Sequence, residues 1–307
     1  MTRLLPFAAL MVIGAAWGAT QPLAKVAVSE GYQPLGLLVW QNAIVGVVLG
    51  VITLMRGRRL PINRDVLWLY LVIALIGSIL PGLASYRAAV HLPSGILSIL
   101  LSSVPMFALP IAIALGNDSF SAARLTGLVL GLCGVVLLVL PETSLPAGTE
   151  VWWIPVALIA SAFYALEGNY VARWGTCGLD PLQVLTGASI LGFFLCLPLA
   201  IIAGEYIDPR PGWGAPDRAL VASSLLHAFA YSGYVGLVGL AGAVFTAQVS
   251  YFVTLFGLVW AMLFLGEAYS GWVWGALLLM LAGLGLVQPR RRPVLVPEGP
   301  LGQDASG

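Results

Sequence analysis

Long apolar runs fill this chain, and the polar positions that interrupt them divide it into ten segments. They fall at about 5–28, 34–55, 66–88, 94–116 and 121–141, then about 151–173, 180–203, 219–239, 243–265 and 270–288. Each approaches the roughly 20 apolar residues that a helix needs to cross a 30 Å hydrocarbon core. The breaks carry charge, proline or glycine, as in Arg56-Gly57-Arg58-Arg59, Asn117-Asp118, Pro141-Glu142 and Asp208-Pro209-Arg210-Pro211-Gly212. The expected fold is an all-α integral membrane protein with ten transmembrane helices. The first run has only Arg3 ahead of it and contains Gln21, Pro22 and Lys25, so it reads as a span rather than a signal core. From Pro289 the chain turns polar and rich in proline and glycine, which predicts a disordered tail over 289–307.

Composition agrees with this pattern. Hydrophobic residues make up 60% and charged residues 9%, against about 25% charged in an ordinary globular domain. Lipid must therefore solvate most of the outside. A net charge of +1 and a single lysine, Lys25, leave no basic stripe for nucleic acid. Cys133, Cys177 and Cys196 form neither a disulfide framework nor a metal-ligand spacing, so no metal or cofactor is expected. Basic residues set the expected orientation. With the amino terminus in the cytoplasm, ten of the fourteen fall inside (Arg3, Arg56, Arg58, Arg59, Arg64, Arg124, Arg173 and Arg290–Arg292). Lys25, Arg87, Arg210 and Arg218 fall outside. The expected location is a bacterial inner membrane, with both termini cytoplasmic.

The two halves repeat. Leu115-Gly116-Asn117 matches Leu265-Gly266-Glu267 at an offset of 150; Pro34-Leu35 and Pro181-Leu182 each open a segment; Gly127 and Gly134 resemble Gly275 and Gly283. Five spans is an odd number, so the second unit must be inverted relative to the first. The expected domains are repeats at 4–141 and 151–288. Such repeats are a carrier architecture, with the ligand site near midplane at their interface.

The first segment reads Trp17-Gly18-Ala19-Thr20-Gln21-Pro22-Leu23-Ala24-Lys25, the fourth ends in Leu115-Gly116, and the ninth and tenth join through Leu265-Gly266-Glu267. Gly275 and Ala282-Gly283-Leu284 follow in the tenth. In register with ten spans, this set resembles the EamA-like family of the drug/metabolite transporter superfamily over about 4–288. The resemblance implies a five-plus-five inverted-repeat carrier, often an exporter of amino acids or related metabolites. Asn117 departs from the family's usual Leu-Gly-Glu ending, and Trp40-Gln41-Asn42 stands where many members place an arginine.

Polar groups inside the spans are the candidates for chemistry, because an ionisable side chain at a helix centre costs roughly 2.5–3.5 kcal/mol on insertion scales. Glu167 lies within the sixth span, with Tyr164 one turn before it. It is expected to face the central cavity, to bind a substrate amine or to exchange a proton; the competing reading is a structural acid. His227 shares a face with Ser224, Tyr231 and Tyr234, a wall for a wet cavity or a set of interhelical hydrogen bonds. The fourth span presents Ser94, Ser98 and Ser102 just before Pro105 and Pro110, and the ninth presents Gln248 and Tyr251. Serines of this kind serve equally as close-packing residues; the prolines allow a bend, making the fourth span the candidate moving element. Trp17 and Gln21 share a face, and Gln41 and Asn42 lie in the second span, where amides can orient a zwitterion. Lys25 and Arg87 read as snorkelling anchors and Glu267 as a helix-terminus residue.

These features favour a secondary carrier working by alternating access, an exporter of amino acids or related amphipathic metabolites. Its expected partners are a small-molecule substrate and the bilayer, with protons as a candidate coupling ion; oligomeric state is left open. The alternatives are an integral-membrane enzyme acting on a lipid-like substrate, or a channel or scaffold. No Walker A glycine-lysine pair exists, since Lys25 follows Ala24. Paired aspartates and a histidine-glutamate metalloprotease helix are missing, and Ser94-Gly95 and Ser232-Gly233 lack the glycine that flanks an intramembrane serine nucleophile. The chain is not expected to be an enzyme.

Overall fold

The computed structural model describes residues 4–116, 121–141, 145, 148–210, 212–241, 243–246 and 248–287. Asn117, Asp118, Glu142 and the proposed tail from 289 onward lie outside the described residues. Among the described residues all regular structure is helical. Eight helices have the length and apolarity to cross a bilayer: α1 Leu5–Ala27, α2 Pro34–Met55, α3 Arg64–His91, α4 Ser94–Ala114, α5 Ala122–Val139, α6 Trp153–Trp174, α7 Pro181–Ala203 and α8 Ala215–Ala241. Two shorter apolar helices, α9 Val249–Leu265 and α10 Gly271–Val287, complete the ten.

Local chemistry sets several boundaries. Pro34 and Pro181 start α2 and α7 at positions where a missing N–H costs nothing. At the start of α7 the Asp180 side chain accepts from the Gln183 N–H, and the Gln183 side chain accepts from the Asp180 N–H. Asn63 caps α3 through a 2.9 Å bond from the Val66 N–H, which moves its start from the expected 66 back to Arg64. α8 begins at Ala215 rather than 219, because Asp217 accepts from the Gly214 N–H and organises the first turn. The ninth span loses its first residues to a separate short helix, Ala243–Thr246.

Four helices are irregular. α1 breaks at Ala19, between Leu4–Gly18 and Thr20–Ala27. α3 contains a π-helical turn at Ala74–Ile79. α4 divides into Ser94–Leu101 and Val104–Ala114 ahead of Pro105. There Ser102 and Ser103 turn their hydroxyls back onto the carbonyls of Ile99 and Leu100. α9 follows the interruption after Thr246.

Helix pairing obeys the inverted repeat, in which α1–α5 correspond to α6–α10. Three helices pack on their own counterparts: α2 on α7, α4 on α9 and α5 on α10. The other extensive contacts come in matched sets: α1–α9 with α6–α4, α1–α8 with α6–α3, and α2–α8 with α7–α3. Across the α2–α7 crossing the packing is close: a Cβ on Gly192 would lie 2.7 Å from Asn42 Oδ1.

The bundle ends differ. At the end carrying Glu267, Glu205 accepts from the Leu35 N–H (2.9 Å) and so caps α2 from the opposite repeat. Glu267 accepts from Ser94 N, Ser94 Oγ and Gly95 N, capping α4, and also from the Tyr269 hydroxyl. Tyr32 donates to Asp217 and Lys25 to the Val90 carbonyl. The sequence reading of Glu267 as a helix-terminus residue fits this geometry, though the helix it caps is α4. Just outside the membrane at the same end, His91 and Trp153 hydrogen-bond Glu150 and hold its carboxyl below the usual range. The opposite end is tied mainly between α2 and α7, by Arg56–Asp180 at 3.6 Å and a Gln183 bond to the Arg59 carbonyl.

Candidate functional site

The irregular stretches converge. A cavity of about 360 Å³ lies where α1, α3, α4 and α9 lose regularity, closed around by α2, α6, α7 and α8. Non-regular backbone at membrane depth is tolerated where it borders protein or a wet cavity, and π-helical turns recur at functional sites.

Seven polar or aromatic residues singled out from the sequence line this cavity: Trp17, Gln21, Gln41, Asn42, Ser102, Tyr164 and His227. Trp17 Nε1 donates to His227 Nδ1 (3.1 Å), so that nitrogen accepts and the histidine proton sits on Nε2 when the ring is neutral. Trp17 also meets His227, Tyr231 and Tyr234 edge-on at 5.8–6.4 Å. Tyr231 belongs to this aromatic wall but is not part of the lining. Gln41 accepts from Tyr86 (2.5 Å), while Asn42 accepts from Ser78 and donates to the Leu38 carbonyl. Among the described residues no Lys, Arg, Asp or Glu lines the cavity.

Four other candidates lie elsewhere. Ser98 hydrogen-bonds the Ser94 carbonyl and packs on α9, where a Cβ on Gly257 would fall 2.3 Å from its hydroxyl. Its small size serves the α4–α9 crossing. Gln248 is exposed, and Tyr251 turns to α10, its hydroxyl beside Gly285. Glu167 sits half-buried behind the wall, with its carboxyl against Gly77 of the π-helical turn; a Cβ there would lie 2.6 Å from the carboxyl carbon. It is therefore near the cavity, but does not line it as the sequence reading expected.

The sequence reading passed over Thr20, Ser78, Ser85, Tyr86, Ser189, Ser223, Ser250 and Thr254, which add hydroxyls to the lining. A signal existed: Ser78, Ser85 and Tyr86 fall on adjoining turns of one apolar span, as do Ser250 and Thr254. Single hydroxyls are common in such helices, and only the packing separates lining from filler.

The cavity's two ends are unequally closed. Toward Glu267, α1 packs onto both α3 and α4, and Ala27, Val28, Leu97 and Leu220 join the main buried cluster. The symmetry-related contacts, α6 on α8 and α6 on α9, have no comparable packing among the described residues. The molecule is thus tightly shut at the Glu267 end and looser at the Arg56 end.

Comparison with known proteins gives the same architecture. The model of the EamA-like transporter family matches residues 5–140 and again 151–288. The chain is 26% identical to the uncharacterized inner membrane transporter YedA of Escherichia coli K12, over 77% of this chain and 71% of that one. It is 25% identical to a protein of Streptantibioticus cattleyicolor named as a probable terminal-alkyne amino-acid exporter, over 70% of this chain and 78% of the relative. The uncharacterized transporter YvbV of Bacillus subtilis is 25% identical, over 90% and 89% of the two chains. A solved crystal structure superposes with a TM-score of 0.61 at 17% identity, covering 90% of this chain and 94% of the other. That likeness concerns the fold alone.

Proposed function

The chain belongs to the EamA-like transporter family, and from that premise we propose that it is a secondary carrier exporting small amphipathic metabolites of the amino-acid class by alternating access. The observation that carries this reading is the cavity itself. It lies at the junction of two inverted repeats, is walled by Trp17, Tyr86, Tyr164 and His227, and presents amides and hydroxyls with no fixed charge among the described residues. Neutral donors and acceptors can satisfy a zwitterion whose own charges cancel, and aromatic faces take its apolar part. A polyanion would find no counter-charge there. The relative from Streptantibioticus cattleyicolor, named for an amino-acid substrate, supports the same class.

Counterflow in proteoliposomes tests this. Vesicles preloaded with one unlabelled neutral amino acid, including an alkyne-bearing one, should accumulate the labelled form transiently and saturably for at least one member of the panel. Flux that rises linearly without counterflow across the panel would favour a channel, and turnover of bilayer lipid an enzyme.

The arginine bias supports a cytoplasmic Arg56 end in an inner membrane. The exposed Cys177, between α6 and α7, reports on it. In intact cells an impermeant maleimide should leave Cys177 unmodified until the membrane is permeabilised, in a variant with Cys133 and Cys196 changed to serine. Modification in intact cells would reverse the orientation.

A further inference from the structure

The inverted repeat relates the contact of α1 with α8 to the contact of α6 with α3. Trp17 meets His227 in the first, and Glu167 meets Gly77 in the second. Trp17 Nε1 donates to His227 Nδ1, and the Glu167 carboxyl rests on Gly77. One half of the molecule therefore seats an indole against an imidazole, and the other seats a carboxyl in the space a glycine leaves. The two halves share the helix crossing here, but the π-helical turn belongs to α3 alone of the pair and the chemistry differs.

Glu167 is also the sole acid in the interior of a described span. Asp65, Asp180 and Asp217 lie at helix starts, and Glu30, Glu150, Glu205, Asp208 and Glu267 lie in connections. No hydrogen bond to its carboxyl occurs among the described residues. Two titratable groups lie close enough to feel its charge, Tyr164 from its own helix and Tyr231 from α8. The π-helical turn and both halves of α4, which pack on α6, carry no titratable side chain. The rest of α3 packed on α6 holds Tyr86, Arg87 and His91, all toward the Glu267 end, with Tyr86 bonded to Gln41 and Arg87 exposed. Tyr70, further along α3, turns to Gly187 of α7. Among the described residues no basic group forms an ion pair with the carboxylate.

We propose that Glu167 is a proton-binding site whose occupancy permits closure of the Arg56 end. The proposal rests on the carrier reading and extends it to the coupling ion. At the Glu267 end, closure consists of the Thr20–Ala27 stretch of α1 packing onto α3 and α4. The inverted repeat makes the other closure its image, with the end of α6 that follows Glu167 packing onto α8 and α9. In the present conformation no comparable packing is made among the described residues, so the Glu167 seam borders a looser region that water can enter. Closing it strips water from the carboxyl. An ionised carboxyl without partners strongly opposes this. A protonated one donates its O–H to a neighbouring carbonyl or hydroxyl and packs as a neutral group. On reopening, the proton leaves to water entering from the Arg56 end. Because proton and closure share one equilibrium, each biases the other.

The proton alone is the probe. Spin labels at Arg173 on α6 and Leu240 on α8, both exposed, span the closing gap. In lipid nanodiscs the short-distance population should rise at least about threefold from about pH 8 to about pH 5. Glu167→Gln should hold that raised population at both pH values, and Glu167→Asp should restore pH dependence. Infrared difference spectra should show a protonated-carboxyl band that appears with acid and is missing in Glu167→Gln. An unchanged pH response in Glu167→Gln, no response in the parent protein, or a carboxyl band that survives the substitution would overturn the proposal. The two readings fail separately: counterflow without the pH response removes the proton site, and the pH response without counterflow removes the carrier.

Discussion

Trp17→Ala is expected to cut transport at least about tenfold, the equivalent of about 1.4 kcal/mol of lost stabilisation, and to lower thermal stability. Three contacts are lost together. The indole stands edge-on to His227, Tyr231 and Tyr234, and its N–H is the donor to His227 Nδ1. Truncating a packed tryptophan typically costs 3–5 kcal/mol, or about that order, and a cavity-facing site spares part of this because water can fill the space. His227 would also lose its donor, which frees the ring to change tautomer. Trp17→Phe separates the effects. It keeps most of the aromatic packing and removes only a hydrogen bond, which between membrane helices is worth about 0.6–2 kcal/mol. A phenylalanine variant with near-parental stability but reduced affinity would assign the N–H to the ligand site. Parental transport in Trp17→Ala would remove the aromatic wall from the site altogether.

Much of the architecture was legible from patterning, because a bilayer enforces run length on every span. The pairings of Leu115-Gly116 with Leu265-Gly266 and of Pro34-Leu35 with Pro181-Leu182 were enough to match the helices of the two halves, and that match relates the α1–α8 contact Trp17–His227 to the α6–α3 contact Glu167–Gly77. Residues with large or amide side chains on the cavity face, such as Trp17, Gln41 and His227, also stood out, since such groups are costly in lipid without a use.

The errors have physical causes. Helical periodicity gives the face of a residue but not what packs there, so Ser98 and Tyr251 lie on plausible faces yet meet α9 and α10 rather than the cavity. Gln248 stands at the interrupted start of α9, where a helix-face argument no longer applies. The π-helical turn at Ala74–Ile79 has no signature in a run of apolar residues, and Gly77 is silent in any search for polar groups. Its partner Glu167 was conspicuous by charge but was placed in the cavity instead of behind it. Nor does composition reveal that the Glu267 end is doubly capped by carboxylates from the second repeat, at the N-termini of α2 and α4.

That asymmetry leads to the second large effect. With Gly57 matching Gly204 after α2 and α7, Glu205 corresponds to Arg58, and Glu267 corresponds to Asn117 after Leu115-Gly116, so neither carboxylate latch has an acidic counterpart at the Arg56 end. The Glu267 end should therefore be the better-closed end at rest, and Glu267→Ala should shift the balance toward opening there. Four N–H or O–H donors would lose their acceptor at once. Ser94 N and Gly95 N stand at the start of α4, where such loss is felt most.

Double electron-electron resonance in lipid nanodiscs tests alternating access most directly. One label pair, at Ser29 after α1 and Ala268 between α9 and α10, reports the Glu267 end; the Arg173–Leu240 pair reports the Arg56 end. A saturating amino acid identified by counterflow supplies the bias, since only a ligand with different affinities for two states can shift them. The carrier account predicts that Ser29–Ala268 lengthens as Arg173–Leu240 shortens, with Glu267→Ala moving both pairs in those same directions before ligand is added. Distances that stay fixed at both ends, or that lengthen together, would contradict it.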